Sequence, residues 1–326
     1  MITPYEQYPK LAKILGVNDL YFKREDLHPY GSHKGRSIPV MIDRYYTLGS
    51  RNFAISSSGN AALAAALYTI ELNKKNLADE KTLAIKNPPE DKRADTISLT
   101  IFVGQNISPS KLDKIKNAIS GEAKITENSS TTNKSDTTDP HIKILVKERP
   151  LQALSEAIRE GATSLRQSSD DTALIGYKPL AEEIANIPRV GAVFIGSSSG
   201  STAQALATYF IENKLPIQVH IVQTSATHAL VDAFVVCDKE EDTSLADAIV
   251  DKTALRKNIL VPLIKQTGGT GWCATNEDIE TVLGLVKSYT GLTISTNSAL
   301  SVVGAMKAGH IGYEIKGSVV CIITGE

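Results

Sequence analysis

The sequence predicts an α/β protein with open, mostly parallel twisted sheets that are flanked by helices. Short, mostly apolar runs typical of strands alternate along the chain with helical patterns, as in a parallel sheet that is buried between helices. Serine- and glycine-rich turns follow two of the strands and lead directly into helices. Ligands of such sheets bind at this carboxyl end of the strands.

The first half of the chain supplies four predicted strands that alternate with helices. Ser108 and Pro109 indicate where one helix begins, because serine is a favoured N-cap and proline fits the first helical position. Gly161 indicates where the next helix ends, since glycine commonly follows the last helical residue. The predicted strands are LYFKREDL (20–27), RNFAI (51–55), TIFV (100–103) and KILV (143–146).

The second half of the chain continues this alternation. The apolar run AVFI (192–195) passes through a glycine–serine turn into a helical pattern, TAQALATYFIEN. Two further apolar strands are predicted at IQVHIV (217–222) and SVVCIIT (318–324), and helices at 170–185 and within 275–309. Strands separated by helices in this way are typical of a parallel sheet with helices on its faces.

Length and composition predict two interlocked domains. A chain of 326 residues with 42% hydrophobic content can bury a large core and is long for one domain. We expect a large domain from residues 1–50 and 151–326 and a smaller, mobile, substrate-side domain from residues 51–150. Within the smaller domain, ENSSTTNKSDTTD (127–139) has no hydrophobic residue and is predicted to be a disordered loop.

Composition also excludes several classes of function. The 35 Lys and Arg residues balance the 36 Asp and Glu residues to a net charge of −1, which provides no field that attracts nucleic acid or anionic membranes. The first residues lack the apolar core of a signal peptide, and no apolar run approaches the roughly 20 residues of a membrane span. We therefore expect a cytoplasmic protein with no nucleic-acid or membrane partner.

The cysteines and histidines predict neither a disulfide framework nor a metal site. Cys237, Cys273 and Cys321 are odd in number, scattered and without CxxC spacing, so we expect three reduced thiols, mostly in the core. The six histidines show no spacing typical of metal ligands, and no metal is predicted.

The turn GSSSGST (196–202) offers the groups that bind a phosphate. It begins a helix, so consecutive backbone N–H groups, hydroxyls and a helix N-terminus come together. It has neither the lysine of a P-loop nor a G-x-G-x-x-G pattern with a later acidic residue. Taken alone, it equally fits a tight strand-to-helix turn without a ligand.

Three segments in a fixed order resemble one enzyme family. KREDLHPYGSHKGRS (23–37), SSSGN (56–60) and GSSSGS (196–201) together are similar to the pyridoxal-phosphate enzymes of fold type II, the tryptophan synthase β-subunit-like superfamily. The likeness extends to CIITGE at the C-terminus, and HIVQTSATHA (220–229) and GYKPLAEEI are most similar to threonine-synthase-like members. The resemblance implies pyridoxal 5'-phosphate (PLP) as cofactor, bound in a cleft between the two domains, and a homodimer.

The resemblance assigns a role to each matching residue. Lys34 forms the Schiff base with the cofactor, as an internal aldimine. Asn60 contacts the cofactor's 3-hydroxyl, Thr324 faces its pyridine nitrogen, and His33 lies near its phosphate. The residues that bind the substrate carboxylate are Ser57, Ser58, Gly59, Asn60 and Ala61. The residues that bind the cofactor phosphate are Gly196, Ser197, Ser198, Ser199, Gly200 and Ser201.

The implied chemistry is elimination or replacement at the β or γ carbon of a small amino acid. A neutral threonine beside the pyridine nitrogen favours it, since a hydroxyl does not hold a proton there as a carboxylate would. A threonine-synthase-like lyase is the expected enzyme, with serine/threonine ammonia-lyase and cysteine-synthase-like activities as alternatives. An amino-acid-binding regulatory pseudoenzyme is the alternative from another class, and a nucleotide-binding protein is a more distant one.

Some residues depart from the family pattern and bear on the substrate. Gly35 stands where threonine synthases usually carry an aspartate, and STNSA (295–299) replaces a segment that usually contains a glutamate. An O-phosphohomoserine substrate requires a second phosphate site. Its basic candidates are Arg36, Lys178 and Arg166, and an ordinary ion pair or a solvated charge is the alternative for each of them.

Overall fold

The computed structural model describes residues 1–82, 95–120, 139–237 and 239–325. The chain divides into two compact units: unit 1 consists of Met1–Ser37 and Gln167–Glu326, and unit 2 of Ile38–Arg166. The predicted domain boundaries near residues 50 and 150 stay a prediction. The predicted disordered loop lies outside the described residues, except for Asp139.

Within the described ranges, the chain forms strands and helices in alternation. The strands are β1 (Tyr5–Gln7), β2 (Leu20–Arg24), β3 (Asn52–Ser56), β4 (Ser98–Gly104), β5 (Ile142–Lys147), β6 (Thr163–Ser164), β7 (Val190–Gly196), β8 (Gln218–Thr224), β9 (Gly271–Ala274) and β10 (Ser318–Ile323). The helices are α1 (Pro9–Leu15), α2 (Lys34–Thr47), α3 (Asn60–Thr82), α4 (Pro109–Ser120), α5 (Pro150–Arg159), α6 (Thr172–Ala185), α7 (Ser201–Glu212), α8 (Lys257–Gln266), α9 (Asn276–Thr290) and α10 (Thr296–His310).

Unit 1 is built on a six-stranded sheet in the order β1-β2-β10-β7-β8-β9. The pair β1 and β2 is antiparallel, and the other neighbouring pairs are parallel. Side chains of β7 alternate between two cores: Ala192 and Phe194 pack with α1, α9 and α10, and Val193 and Ile195 pack with α6, α7 and α8. Because both of its faces are covered, β7 is apolar throughout.

Unit 2 contains a four-stranded parallel sheet in the order β5-β4-β3-β6. Ala54 of β3 and Phe102 of β4 pack with Ala153 and Leu154 of α5 in its core. The predicted start of α4 is confirmed, because Pro109 is its first residue and the Ser108 hydroxyl accepts a hydrogen bond from the backbone N–H of Lys111.

The predicted α/β class with mostly parallel sheets is confirmed. The strand predicted at residues 20–27 ends at Arg24, because the next three residues form a 3₁₀ helix and Asp26 binds the Arg24 guanidinium. The short strands β1, β6 and β9 were not predicted from the sequence. Strands of two to four residues give too little alternation to stand out from loops.

The prediction of three reduced cysteines is wrong for two of them. Cys237 and Cys273 form a disulfide with a Cα–Cα distance of 5.6 Å. The two residues are 36 positions apart, and it is the placement of an irregular segment against β9 that pairs them. Cys321 is a free, buried thiol, and burial raises its pKa.

The helices that the structure describes include none long and apolar enough to cross a membrane.

Candidate active site

Lys34 is the first residue of α2, and the residues before it are fastened to the end of β10. The carbonyl oxygen of Thr324 lies 3.1 Å from both the backbone N and the Nδ1 of His33. Ser32 forms an isolated β-bridge with Gly325. The structure therefore brings Lys34, His33 and Thr324 together at the carboxyl end of a central strand.

The His33 imidazole is buried and neutral. Burial is the main cause that lowers its pKa to about 3, and the adjacent Lys34 charge acts in the same direction. Because a carbonyl oxygen accepts only, Nδ1 carries the proton and donates to Thr324. The observed contact of His33 is thus with the backbone of β10, and its proximity to the cofactor phosphate stays a prediction.

Two glycines let the backbone approach closely around the start of α2. A Cβ on Gly35 would lie 2.4 Å from Nδ1 of His28, so the buried His28 ring occupies the space of a larger side chain. A Cβ on Gly176 would lie 2.2 Å from the carbonyl oxygen of Arg36. The glycine of GYKPLAEEI therefore allows α6 to pack directly on the backbone beside Lys34.

Residues 196–201 connect β7 to α7, and we name this segment the phosphate loop after the ligand that the sequence predicts for it. Gly200 has a φ of +82°, and a Cβ there would lie 2.5 Å from Cδ2 of Leu260. The backbone N–H groups of Ser198, Ser199 and Gly200 donate to none of the described residues. Unpaired donors at a helix N-terminus suit an anion.

The hydroxyls of the phosphate loop have different partners. Ser201 donates to the carbonyl oxygen of Gln167 at 3.0 Å, and the Oγ atoms of Ser199 and Ser201 are 3.0 Å apart. Since Ser201 has one hydrogen, Ser199 is the donor of this pair. Ser197 is buried, and its hydroxyl has no hydrogen-bond partner among the described residues.

Gln223 of β8 also holds the phosphate loop, a role that the sequence did not reveal. Its side chain is fully buried, and Nε2 donates to the carbonyl oxygen of Ser197 at 3.0 Å. Its Oε1 accepts from the backbone N–H groups of Leu230 and Val231 at 2.7 and 3.1 Å. The glutamine of HIVQTSATHA is therefore a buried support of the loop.

Thr324 ends β10 beside the serines of STNSA. Its side chain is buried, and its Oγ1 lies 3.4 Å from the Oγ of Ser298. Ser295 and Ser298 both donate to the carbonyl oxygen of Gly325, at 2.6 and 3.1 Å. The segment that replaces the family's glutamate thus fixes the backbone that carries Thr324.

Arg36 belongs to a buried ion network. Its guanidinium binds Glu25 at 2.6 Å and Glu183 at 2.8 Å, and Lys23 also binds Glu183. Burial alone would raise the pKa of Glu183, but the hydrogen bonds from Arg36 and Lys23 hold it below its usual value. Arg36 is therefore an ion-pair residue and not a free cation for a second phosphate.

The other two basic candidates differ in position. Lys178 is exposed on α6, and Arg166 is a half-buried residue of unit 2.

Among the described residues, no cluster of histidine, cysteine or acidic side chains is arranged to hold a metal ion.

The SSSGN segment, residues 56–60, lies at the end of β3 in unit 2, and Asn60 is the first residue of α3. The Ser57 backbone N–H donates to Phe102 at 3.2 Å, and its hydroxyl accepts from the Gly59 N–H at 3.3 Å. The half-buried side chains of Ser58 and Asn60 have no hydrogen-bond partner among the described residues. These groups, with Ala61 next to them in α3, stay predicted substrate-binding residues.

Comparisons with known proteins agree over the whole chain. The family model described as pyridoxal-phosphate dependent enzyme matches residues 2–75 and 92–325. A threonine synthase of Methanocaldococcus jannaschii is 26% identical over 341 residues, which cover 99% of this chain and 74% of that protein. A threonine synthase of Mycobacterium leprae is 24% identical over 329 residues, which cover 99% of this chain and 81% of that protein.

Solved structures show the same fold. A pyridoxal 5'-phosphate-dependent aspartate racemase superposes with a TM-score of 0.74 at 17% identity, covering 100% of this chain and 90% of that one. Threonine deaminase isoform 2 from Solanum lycopersicum gives a TM-score of 0.71 at 19% identity, and the superposition covers 99% of this chain and 78% of that one.

Proposed function

This chain belongs to the family of pyridoxal-phosphate dependent enzymes, and from that premise we propose that it is a lyase that removes or replaces a group at the β or γ carbon of a small amino acid. The predicted resemblance to fold type II is confirmed, and its cofactor is pyridoxal 5'-phosphate. The curated relatives named threonine synthase support a threonine-synthase-like reaction as the specific activity.

The residues of unit 1 fit this cofactor. Its phosphate needs hydrogen-bond donors, and three N–H groups of the phosphate loop, from Ser198 to Gly200, have no partner among the described residues. Its aldehyde needs an amine, which Lys34 supplies from the start of α2. Its ring nitrogen needs a polar neighbour, and the buried Thr324 hydroxyl is an uncharged one.

The observation that carries the proposal is the double hydrogen bond from His33 to the Thr324 carbonyl. This contact joins the residue before Lys34 directly to the backbone of Thr324, so the two residues are held near each other. When bound, the cofactor supplies an electron sink for the α carbon of an amino acid. The Lys34 amine, in its neutral form, takes and returns the α proton.

The neutral side chains around Lys34 favour departure of a leaving group. With the cofactor bound, the Thr324 hydroxyl would not stabilise a protonated ring nitrogen as a carboxylate would, and this setting favours the loss of a β or γ substituent. The neighbouring His33 stays neutral because burial lowers its pKa to about 3, so it adds no positive charge beside the lysine. Ser58 and Asn60 hold the substrate carboxylate through their unpaired polar groups.

A second candidate is a serine/threonine ammonia-lyase. Arg36, which was a candidate for a second phosphate site, is occupied by Glu25 and Glu183. A substrate without a phosphate needs no such site. This observation favours hydroxyl-bearing substrates, whereas the relatives favour O-phosphohomoserine.

The first experiment tests Lys34. The purified protein with added PLP should show a near-visible absorption band, and borohydride followed by peptide mapping should place the cofactor on Lys34. Lys34→Ala should lose the band and at least about 10³-fold in turnover, because it removes both the covalent link and the proton carrier. Lys178→Ala, which changes an exposed lysine, is the matched control. A band that persists in Lys34→Ala contradicts the proposal.

A substrate panel then separates the candidates. Phosphate release from O-phosphohomoserine with formation of threonine indicates the threonine-synthase-like reaction. Keto acid and ammonia from serine or threonine indicate the ammonia-lyase, and cysteine from O-acetylserine and sulfide indicates the synthase. A spectral change on amino-acid binding without turnover supports the regulatory pseudoenzyme. Sedimentation tests the homodimer that the resemblance implies.

A further inference from the structure

The hydroxyl of Ser198 is fully used within the protein. It donates to Oδ2 of Asp251 at 2.7 Å and accepts from the backbone N–H groups of Val250 and Asp251, each at 3.2 Å. A serine hydroxyl has one hydrogen and two acceptor positions. Ser198 therefore has no side-chain donor left for an anion while these contacts persist.

Asp251 ends an irregular segment, residues 239–251, which we name the strap. The Glu241 carboxylate fastens its start by accepting from the Ser225 hydroxyl at 2.5 Å and from the Asn276 N–H at 2.9 Å. Asn297 accepts from the backbone N–H of Ala248 at 3.0 Å near its other end. The strap thus forms hydrogen bonds with the rest of unit 1 at several points along its length. The last of these points is its contact with Ser198 of the phosphate loop.

Near its end, the strap places two apolar side chains in the core of unit 1 and leaves two others exposed. Ala246 and Ile249 are buried, but Leu245 and Val250 are 41% and 65% exposed. The hydrogen bonds of Ser198 are the contacts that join residues 250 and 251 directly to the phosphate loop.

A carboxylate at this place is unexpected for an anion site. A negative charge close to a phosphate lowers the affinity for it by repulsion. The charge is tolerable only if Asp251 contributes something to the loop that outweighs the repulsion. The hydrogen bonds of Ser198 identify that contribution, because its hydroxyl donates to the carboxylate and accepts from the N–H groups of Val250 and Asp251.

We propose that Asp251 is a positioning residue that acts through Ser198 to hold the phosphate loop in the form that binds the cofactor phosphate by its backbone N–H groups. This rests on the cofactor assignment of the proposed function. Gln223 holds the loop through the Ser197 carbonyl, and Asp251 holds it through the next side chain. With both in place, the three free N–H groups of residues 198–200 are kept in one orientation.

Positioning and simple proximity predict opposite results. If Asp251 is only a nearby charge, its removal strengthens binding of a phosphate. If it positions the loop, its removal weakens binding of PLP and leaves pyridoxal, which has no phosphate, unaffected. The ratio of the two affinities therefore separates a local effect on the phosphate subsite from a general loss of structure.

The experiment is a titration of cofactor-free protein with PLP and with pyridoxal, followed by absorbance. Asp251→Ala and Ser198→Ala should each weaken PLP about 10- to 100-fold, in line with loss of a charged hydrogen bond. The double variant should be no weaker than either single one, because both remove the same contact. Asp251→Asn keeps an acceptor oxygen and should lose less. Asp242→Ala removes an exposed charge of the same strap and should change nothing.

Several outcomes would overturn the inference. These are an unchanged or tighter PLP affinity in Asp251→Ala, an equal loss for PLP and pyridoxal, or additive losses in the double variant. If Asp251→Ala does not fold, Asp251→Asn and Ser198→Ala decide the question, with thermal unfolding as the check. Wild-type protein that does not bind PLP would overturn the proposed function as well, which distinguishes that failure from a failure of Asp251 alone.

Discussion

Two serine–glycine loops, residues 56–60 and residues 196–201, look alike in sequence and differ in structure. Each follows a buried parallel strand and begins a helix. In the phosphate loop, Ser198, Ser199 and Ser201 direct their hydroxyl hydrogens to other atoms of the protein, and backbone N–H groups remain free. In the SSSGN segment, the side chains of Ser58 and Asn60 have no partner among the described residues.

The difference teaches how similar compositions serve different ligands. A loop in which three of four serine hydroxyls donate to other atoms of the protein presents a fixed set of backbone donors, which suits a cofactor that stays bound. A loop with free side chains can adjust its donors, which suits a substrate that enters and leaves. The following variants test this comparison.

The largest contrast is expected between matched glycine substitutions. Gly200→Ala places a Cβ 2.5 Å from Leu260 at a φ of +82°, which should cost about 2–5 kcal/mol in strain and overpacking and weaken PLP binding. Gly59→Ala meets nothing within 4 Å and should leave both stability and PLP affinity nearly unchanged. Thermal unfolding and PLP titration measure the two effects. Equal losses at both positions would contradict the comparison.

Removal of the disulfide should affect one loop only. Cys273→Ser, or treatment with a dithiol, opens the link between Cys237 and β9 and should cost about 2–4 kcal/mol in the free energy of unfolding. Hydrogen exchange should increase in the strap and the phosphate loop of unit 1 and stay constant in residues 56–60. A dithiol should have no further effect on Cys273→Ser. Faster exchange in both loops would show that the cross-link supports the whole chain and not the phosphate loop.

Single hydroxyl deletions should separate substrate from cofactor. Ser58→Ala should raise KM for the amino-acid substrate about 10-fold or more, since a hydrogen bond to a charged carboxylate is lost, and should leave PLP affinity unchanged. Ser199→Ala removes the hydrogen bond to Ser201 and should weaken PLP with little effect on KM measured at saturating PLP. Steady-state kinetics and cofactor titration decide between them. A raised KM in both variants would remove the distinction.

The smallest effect is an acid dependence of unit 1. Burial is the main cause that lowers the pKa of both His33 and His220 to about 3, so each folds neutral and binds a proton near pH 6.5 when unfolded. The unfolded state therefore holds more protons between these values, and stability falls as pH is lowered from about 6.5 towards about 3.

At pH 5.5 His33 and His220 should each cost about 1 kcal/mol of stability relative to pH 7. The contacts of His220 agree with a neutral ring, because Nδ1 accepts from the Trp272 Nε1–H at 3.3 Å and Nε2 donates to Gln218 at 3.1 Å. His220→Gln should reduce the slope of the unfolding free energy against pH between these values. An unchanged slope in this variant would mean that other groups cause the acid loss.

Much of the architecture was determined by local sequence. The apolar strands, the start of α4 at Pro109 and the glycine turns follow from residue periodicity and from backbone preferences that act over a few residues. The order of the three motifs was also sufficient to indicate the family and the cofactor, which the family match over residues 2–75 and 92–325 confirms. Gly161, which was predicted to mark the end of a helix, has a φ of +98° and lies just beyond the end of α5.

The tertiary structure decided which side chains meet. The Cys237–Cys273 disulfide spans 36 residues, the Ser198–Asp251 contact 53 and the Arg36–Glu183 pair 147. No periodic pattern records such pairings, because they depend on how strand ends and irregular segments are placed by the packing of the whole sheet. The sequence therefore determined where the glycine–serine turn of residues 196–201 and Lys34 occur, and only the fold decided which hydroxyls and charges have partners within the protein.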